Sequence, residues 1–151
     1  MPVSLSDEVK ALVRGANFAS LATLMPDGSP QVAVVWVDLE GDRILVSTGE
    51  TSLKARNTRR DARVGLSITS MTNPYLEAQI RGRVVERRPD ADFKAIDRIS
   101  RKYTGKDFPW RNDPANRVIL VIEPDRARYV ALPLERVSDA GPGSARAAPR
   151  S

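Results

Sequence analysis

A mainly β chain, folded as a small antiparallel barrel of six or seven strands with two or three flanking helices, is what the 151-residue sequence predicts. Two observations lead there. Short apolar segments recur along the chain, separated by turn residues such as Pro26-Asp27-Gly28-Ser29 and Glu40-Gly41-Asp42. Strands joined by turns this short leave exposed edges unless the sheet closes on itself, so a barrel is favoured over an open sheet. No internal repeat interrupts the pattern.

In chain order, Ser6 is an N-cap with Val9, Leu12 and Val13 behind it at helical spacing, and Gly15 ends that helix. Residues 18–24 (FASLATL) read as a strand, and residues 30–39 as a long second strand paired with it in a hairpin. The second strand is apolar on both faces: Ala33, Val35 and Val37 point one way, Val32, Val34 and Trp36 the other. A strand with one wet face alternates more cleanly, so a helix or a second subunit is expected over its outer side. Residues 43–48 form a third strand, 51–60 a short helix, and 63–69 a fourth strand. Residues 75–88 form a long fifth strand in which Gly82 marks a bulge or a close backbone approach. Pro89 and Asp90 open a helix with Phe93, Ile96, Ile99 and Tyr103 on one stripe, ended by Gly105. After an irregular loop carrying Phe108, Pro109 and Trp110, residues 117–123 and 128–132 supply two more strands, turned by Pro124-Asp125. The chain thus divides into one domain, residues 1–133, and a tail, residues 134–151. Glycine, proline, serine, alanine and arginine dominate that tail, which cannot bury a core and is expected to be disordered.

The chain contains neither cysteine nor histidine. Disulfides, thiolate nucleophiles, Ser–His triads, imidazole bases and the usual zinc sites are therefore excluded, which favours a bound organic cofactor over hydrolysis or metal chemistry if the chain is an enzyme. No apolar run approaches the roughly 20 residues that span a membrane, and the first residues do not read as a secretory signal, so a cytoplasmic location is expected. The net charge of +5 favours anionic partners.

One stretch reads as a site. The helix at residues 51–60 is entered through Thr48, Gly49, Thr51 and Ser52 and carries Lys54 and Arg56 in its opening turns. Cations there oppose the helix dipole. Hydroxyls, free N–H groups and an early lysine together make an anion seat, read here as the seat of a cofactor phosphate. Arg59, Arg60 and Arg63 either extend this positive field or form a solvated helix face. Trp110, with Tyr103 near it in sequence, and Tyr75 are candidates for a substrate pocket. No side chain reads as a dedicated proton donor; Tyr75 or a water could serve.

Taken together, Gly28 and Pro30 in the first turn, Ser47 and Thr48 at a strand end, and Lys54 before Arg56, Asn57, Arg60 and Asp61 resemble the pyridoxamine 5′-phosphate oxidase-like split-barrel family. The segment KYTGKDFPW at residues 102–110 and RVILVIEPDR at residues 117–126 are similar to its deazaflavin-dependent (coenzyme F420) branch. The resemblance covers about residues 9–132. It implies a split β-barrel homodimer with two cofactor sites at the subunit interface, and hydride transfer from reduced F420 to a small organic acceptor. It implies that Lys54 holds the phosphate, that Ser47, Thr48 and Ser52 donate hydrogen bonds, and that Leu53, Arg56 and Asn57 belong to the same seat. Gln31 and Gln79 are implied at the polar edge of the ring system. FMN in a flavin reductase or oxidase of the same fold is the alternative. A carrier without turnover, or a basic barrel binding single-stranded nucleic acid, stays open as well.

Overall fold

The structure, a computed structural model, describes residues 1–135 and 137. All but three residues of the expected tail lie outside the described residues. Seven antiparallel strands form one sheet: β1 Ala19–Leu24, β2 Pro30–Val35, β3 Asp38–Glu40, β4 Arg43–Gly49, β5 Arg63–Thr69, β6 Leu76–Pro89 and β7 Arg117–Ala131, in the order β2-β1-β5-β6-β7-β4-β3. β2 and β3 stand at opposite ends of that order, yet only Trp36 and Val37 separate them. The three Cα–Cα steps from Val35 to Asp38 span about 11 Å at most, so the two end strands are brought close together and the sheet is curled into a barrel. Its interior is filled by Leu21, Val35, Val37, Ile44, Val46, Leu66, Ile68, Ile80, Leu120 and Ile122, together with Val9, Leu12 and Val13 of helix α1 (Asp7–Arg14). Ser6 caps α1 by accepting from the Val9 N–H, as its position in the sequence predicts.

Three boundaries differ from the sequence reading, each for a physical reason. The expected strand at residues 30–39 is broken in two. At the break the Val37 N–H donates to the Tyr103 hydroxyl, and its carbonyl accepts from Lys102 Nζ. Side chains of helix α3 (Lys94–Thr104) thus take over backbone groups that a strand partner would hold, and the chain crosses from one sheet edge to the other. Pro124-Asp125 does not turn the chain. β7 runs on as one strand of 15 residues, with Pro124 opposite Gly82 at a register shift in β6. A Cβ at Gly82 would lie 2.3 Å from the Glu123 carbonyl oxygen, so the close approach read from that glycine is real and accommodates the proline. Finally, Pro89 ends β6 rather than opening a helix, and α3 starts at Lys94. Asp90 still serves its N-terminus, its two carboxylate oxygens accepting from the Ala95 and Ile96 N–H groups.

α3 covers the side of β4 and β7 that faces away from the barrel interior, burying Leu45, Ile119 and Val121 against Ala95. A second apolar cluster, Phe93, Ile96 and Ile99, packs with Trp36, Tyr103 and Phe108. The outer side of β2 carries no such cover: Val32 and Val34 are 61% and 68% exposed in the single chain. Among the described residues, no helix is long and apolar enough to cross a membrane.

Candidate functional site

Helix α2 (Leu53–Arg60) links β4 to β5 and starts at the end of the barrel. Its N-cap Ser52 accepts from the Ala55 N–H (3.2 Å) and from the Thr48 hydroxyl (2.8 Å). The first intrahelical bond runs from Arg56 N–H to the Ser52 carbonyl, which leaves the Leu53 and Lys54 N–H groups at the open start of the helix. Asn116 braces the turn before it: its side-chain oxygen accepts from the Thr51 N–H and its carbonyl from the Glu50 N–H. Arg87 ties the far side of α2 down through Glu50, Thr58 and the Ala55 carbonyl.

Lys54 points into a cleft of about 310 Å³. Ser47 and Arg117 join Lys54 as its polar lining, and Phe18, Val34, Val35, Trp36, Ile96, Phe108 and Trp110 supply its apolar and aromatic lining. Arg117 Nη2 donates to Ser47 Oγ (2.6 Å), and its guanidinium lies 4.9 Å from the Phe108 ring centre. Its Nε is buried without a hydrogen-bond partner among the described residues. Neither Lys54 nor Arg117 forms an ion pair among the described residues, although most of the surface arginines do. Burial pushes the Lys54 amine below its ordinary value, and the nearby Arg117 charge pushes it further the same way. Burial lowers Arg117 as well, against a weaker opposing pull from the Asp90 carboxylate. Two half-buried cations that repel one another and have no ion-pair partner among the described residues are unfavourable alone and become favourable when an anion enters. A phosphate fits this donor set, and the aromatic walls fit a flat ring attached to it.

Of the residues singled out from sequence, the cleft brings together Ser47, Lys54 and Trp110. Thr48, Ser52 and Leu53 build the turn beside it. Arg56 is exposed on the helix surface. Asn57 is buried behind the helix, its Nδ2 donating to Thr23 Oγ1 (3.0 Å), which in turn donates to Gln31 Oε1 (3.4 Å). Gln79 lies elsewhere on β6, beside Arg81, Arg126 and Arg128, bonded to Glu77. Tyr75 sits at the start of β6, where its carbonyl accepts from the Leu132 N–H. Tyr103 stacks on Trp36 and Phe18 with ring centres 5.1 and 5.7 Å apart. Its hydroxyl donates to the Asn17 carbonyl (2.6 Å) and accepts from Val37, so it supports the wall from behind. Arg59 pairs with Glu50, Arg63 with Asp61, and Arg60 donates to the Leu24 carbonyl; those cations serve the fold. Arg117, which lines the cleft beside Lys54, is the residue that sequence reasoning did not single out. It heads the run RVILVIE, and nothing local distinguishes it from a strand-end cation.

A curled antiparallel sheet of seven strands with an aromatic-lined cleft at the start of α2 defines the split-barrel class. Residues 5–131 match the sequence pattern of the family described as pyridoxamine 5′-phosphate oxidase, and the chain belongs to that family. A solved F420 reductase is 28% identical, with a TM-score of 0.74 over 79% of this chain and 94% of that one. The conserved hypothetical protein Rv2991 from Mycobacterium tuberculosis is 24% identical, with a TM-score of 0.68 over 92% and 95% of the two chains. General Stress Protein 26 from Bacillus anthracis, at 18% identity and a TM-score of 0.65 over 82% and 92%, shares the split-barrel fold.

Proposed function

We propose that this chain is an oxidoreductase that holds coenzyme F420 in the Lys54–Arg117 cleft and acts on a small organic molecule, working as a homodimer. When bound, a reduced deazaflavin supplies a hydride. The observation that carries the reading is the pair of desolvated cations without ion-pair partners, set between aromatic walls; the 28% identity to an F420 reductase supports the choice of cofactor. In this reading Lys54, Arg117, the Ser47 hydroxyl and the Leu53 and Lys54 N–H groups bind the phosphate. Trp36, Phe18, Phe108 and Trp110 orient the ring and keep water from it. The exposed Val32 and Val34 belong to the subunit interface, beside the mouth of the cleft that Val34 lines.

Fluorescence titration of the purified protein with F420 and, separately, with FMN tests the assignment. Micromolar or tighter binding of F420, lost in Lys54→Gln, is the expected result. Tight binding of FMN alone would replace the deazaflavin by a flavin in the same seat. Binding of neither would overturn the cofactor reading.

A further inference from the structure

The loop between Gly105 and Asn116 belongs to no strand, yet it is held firmly. Asp97, buried on α3, uses one oxygen for two donors: Oδ1 accepts from the Phe108 N–H (3.0 Å) and from Arg111 Nη1 (2.6 Å). The same Arg111 nitrogen donates to the Phe108 carbonyl (3.1 Å), and the guanidinium lies 4.3 Å from the Phe93 ring centre. Two non-glycine residues with left-handed backbone flank the arrangement, Phe93 at φ 63° and Asp113 at φ 61°. Such conformations persist where the surroundings over-determine them. The result is a fixed pair of rings. Phe108 lies against the Arg117 guanidinium, and Trp110 meets Phe108 edge-on at 5.3 Å while remaining 66% exposed at the cleft. The Trp110 indole thus stands at the cleft against Phe108 with most of its surface open to a second ring.

We propose that residues 105–116 form a latched aromatic lid, with Asp97 as the latch, and that Trp110 selects a planar aromatic ring carrying an anionic group over a simple anion. The proposal rests on the reading of the cleft as a cofactor site. Asp97 is a positioning residue: it acts through Phe108 and Arg111 and touches no ligand. Trp110 acts by stacking, which is sequence- and substituent-tolerant and falls away when the ring is truncated.

Three probes separate the terms: inorganic phosphate for the anion, riboflavin for the ring, and FMN for both. Trp110→Ala is expected to weaken riboflavin and FMN roughly tenfold or more while leaving phosphate binding unchanged, and Trp110→Phe to restore most of the loss. Equal weakening of phosphate and FMN in Trp110→Ala would overturn the selection role. The latch is read without any ligand, by acrylamide quenching of Trp110 in a Trp36→Phe background. Asp97→Asn should raise the quenching constant at least twofold, and Asp97→Glu should return it toward the parent value. Should Asp97→Asn fail to fold, Arg111→Gln releases the same latch from the loop side. Unchanged quenching in the folded variant would overturn the latch alone. Absence of binding by riboflavin and FMN to the unmodified protein would overturn the ring-selection role, and if F420 also failed to bind, the cofactor reading with it.

Discussion

Lys54 and Arg117 are an expensive arrangement for a ligand-free protein, and that expense is measurable. The folded-state value of Lys54 lies below its ordinary 10.5. Between the two values the unfolded chain binds more protons than the folded one, so the stability of the fold rises as pH climbs through that window; below it the buried charge is a standing cost. Lys54→Gln should therefore melt at the same temperature as the parent protein or higher, while its affinity for inorganic phosphate falls at least tenfold. Calorimetry and phosphate titration read both outcomes. In the unmodified protein, phosphate affinity should begin to fall at a pH below 10.5, as the depressed amine loses its proton and leaves Arg117 to hold the anion alone. Lys54 and Ser47 were legible in the sequence because helix starts and strand ends are local signals. Arg117 was not: it reaches Ser47 across 70 residues of chain, and only the antiparallel register of β4 on β7 brings them together.

At the scale of elements, the β6–β7 pair organises the barrel, and its bend depends on one missing side chain. A methyl group at Gly82 would meet backbone atoms of Glu123 and Pro124, neither of which can swing aside. Gly82→Ala is expected to destabilise the fold by about 3 kcal/mol, seen as a lower urea midpoint at unchanged slope. The glycine is legible as a close approach, but its partner is not, and Pro124-Asp125 taken locally reads as a turn. Pro124 stands beside a register shift, where Asp125 is left without a partner on β6, the kind of irregularity at which strands accommodate proline. Asp90 shows the same division. Its capping role was readable from its type, but the four residues between it and Ala95 were set by the turn at Phe93, which no local propensity favours.

For the whole molecule, the open question of the doubly apolar second strand becomes a quantitative expectation. Two valines more than 60% exposed, side by side on an edge strand, form a face that water leaves uncovered in the single chain. Under the proposed homodimer, sedimentation at micromolar concentration should give twice the chain mass. Val32→Asp should shift it to a monomer and weaken cofactor binding without lowering the helix content seen by circular dichroism. Val32 is the better probe than Val34, because Val34 also lines the cleft.

By itself the sequence determined the class of fold and the capped α1, and it marked the start of α2 as a candidate anion seat and a bound organic cofactor as an expectation. These rest on residue type and short-range spacing, which act within one or two turns of chain. Only the tertiary structure decided that the second strand breaks at Val37, that Asn57 bonds to Thr23 and Tyr103 to the Asn17 carbonyl, and that Arg117, Phe108 and Trp110 line the same cleft as Lys54. Each of those depends on which strands pair and in what register, a property of the curled sheet as a whole that no short segment carries.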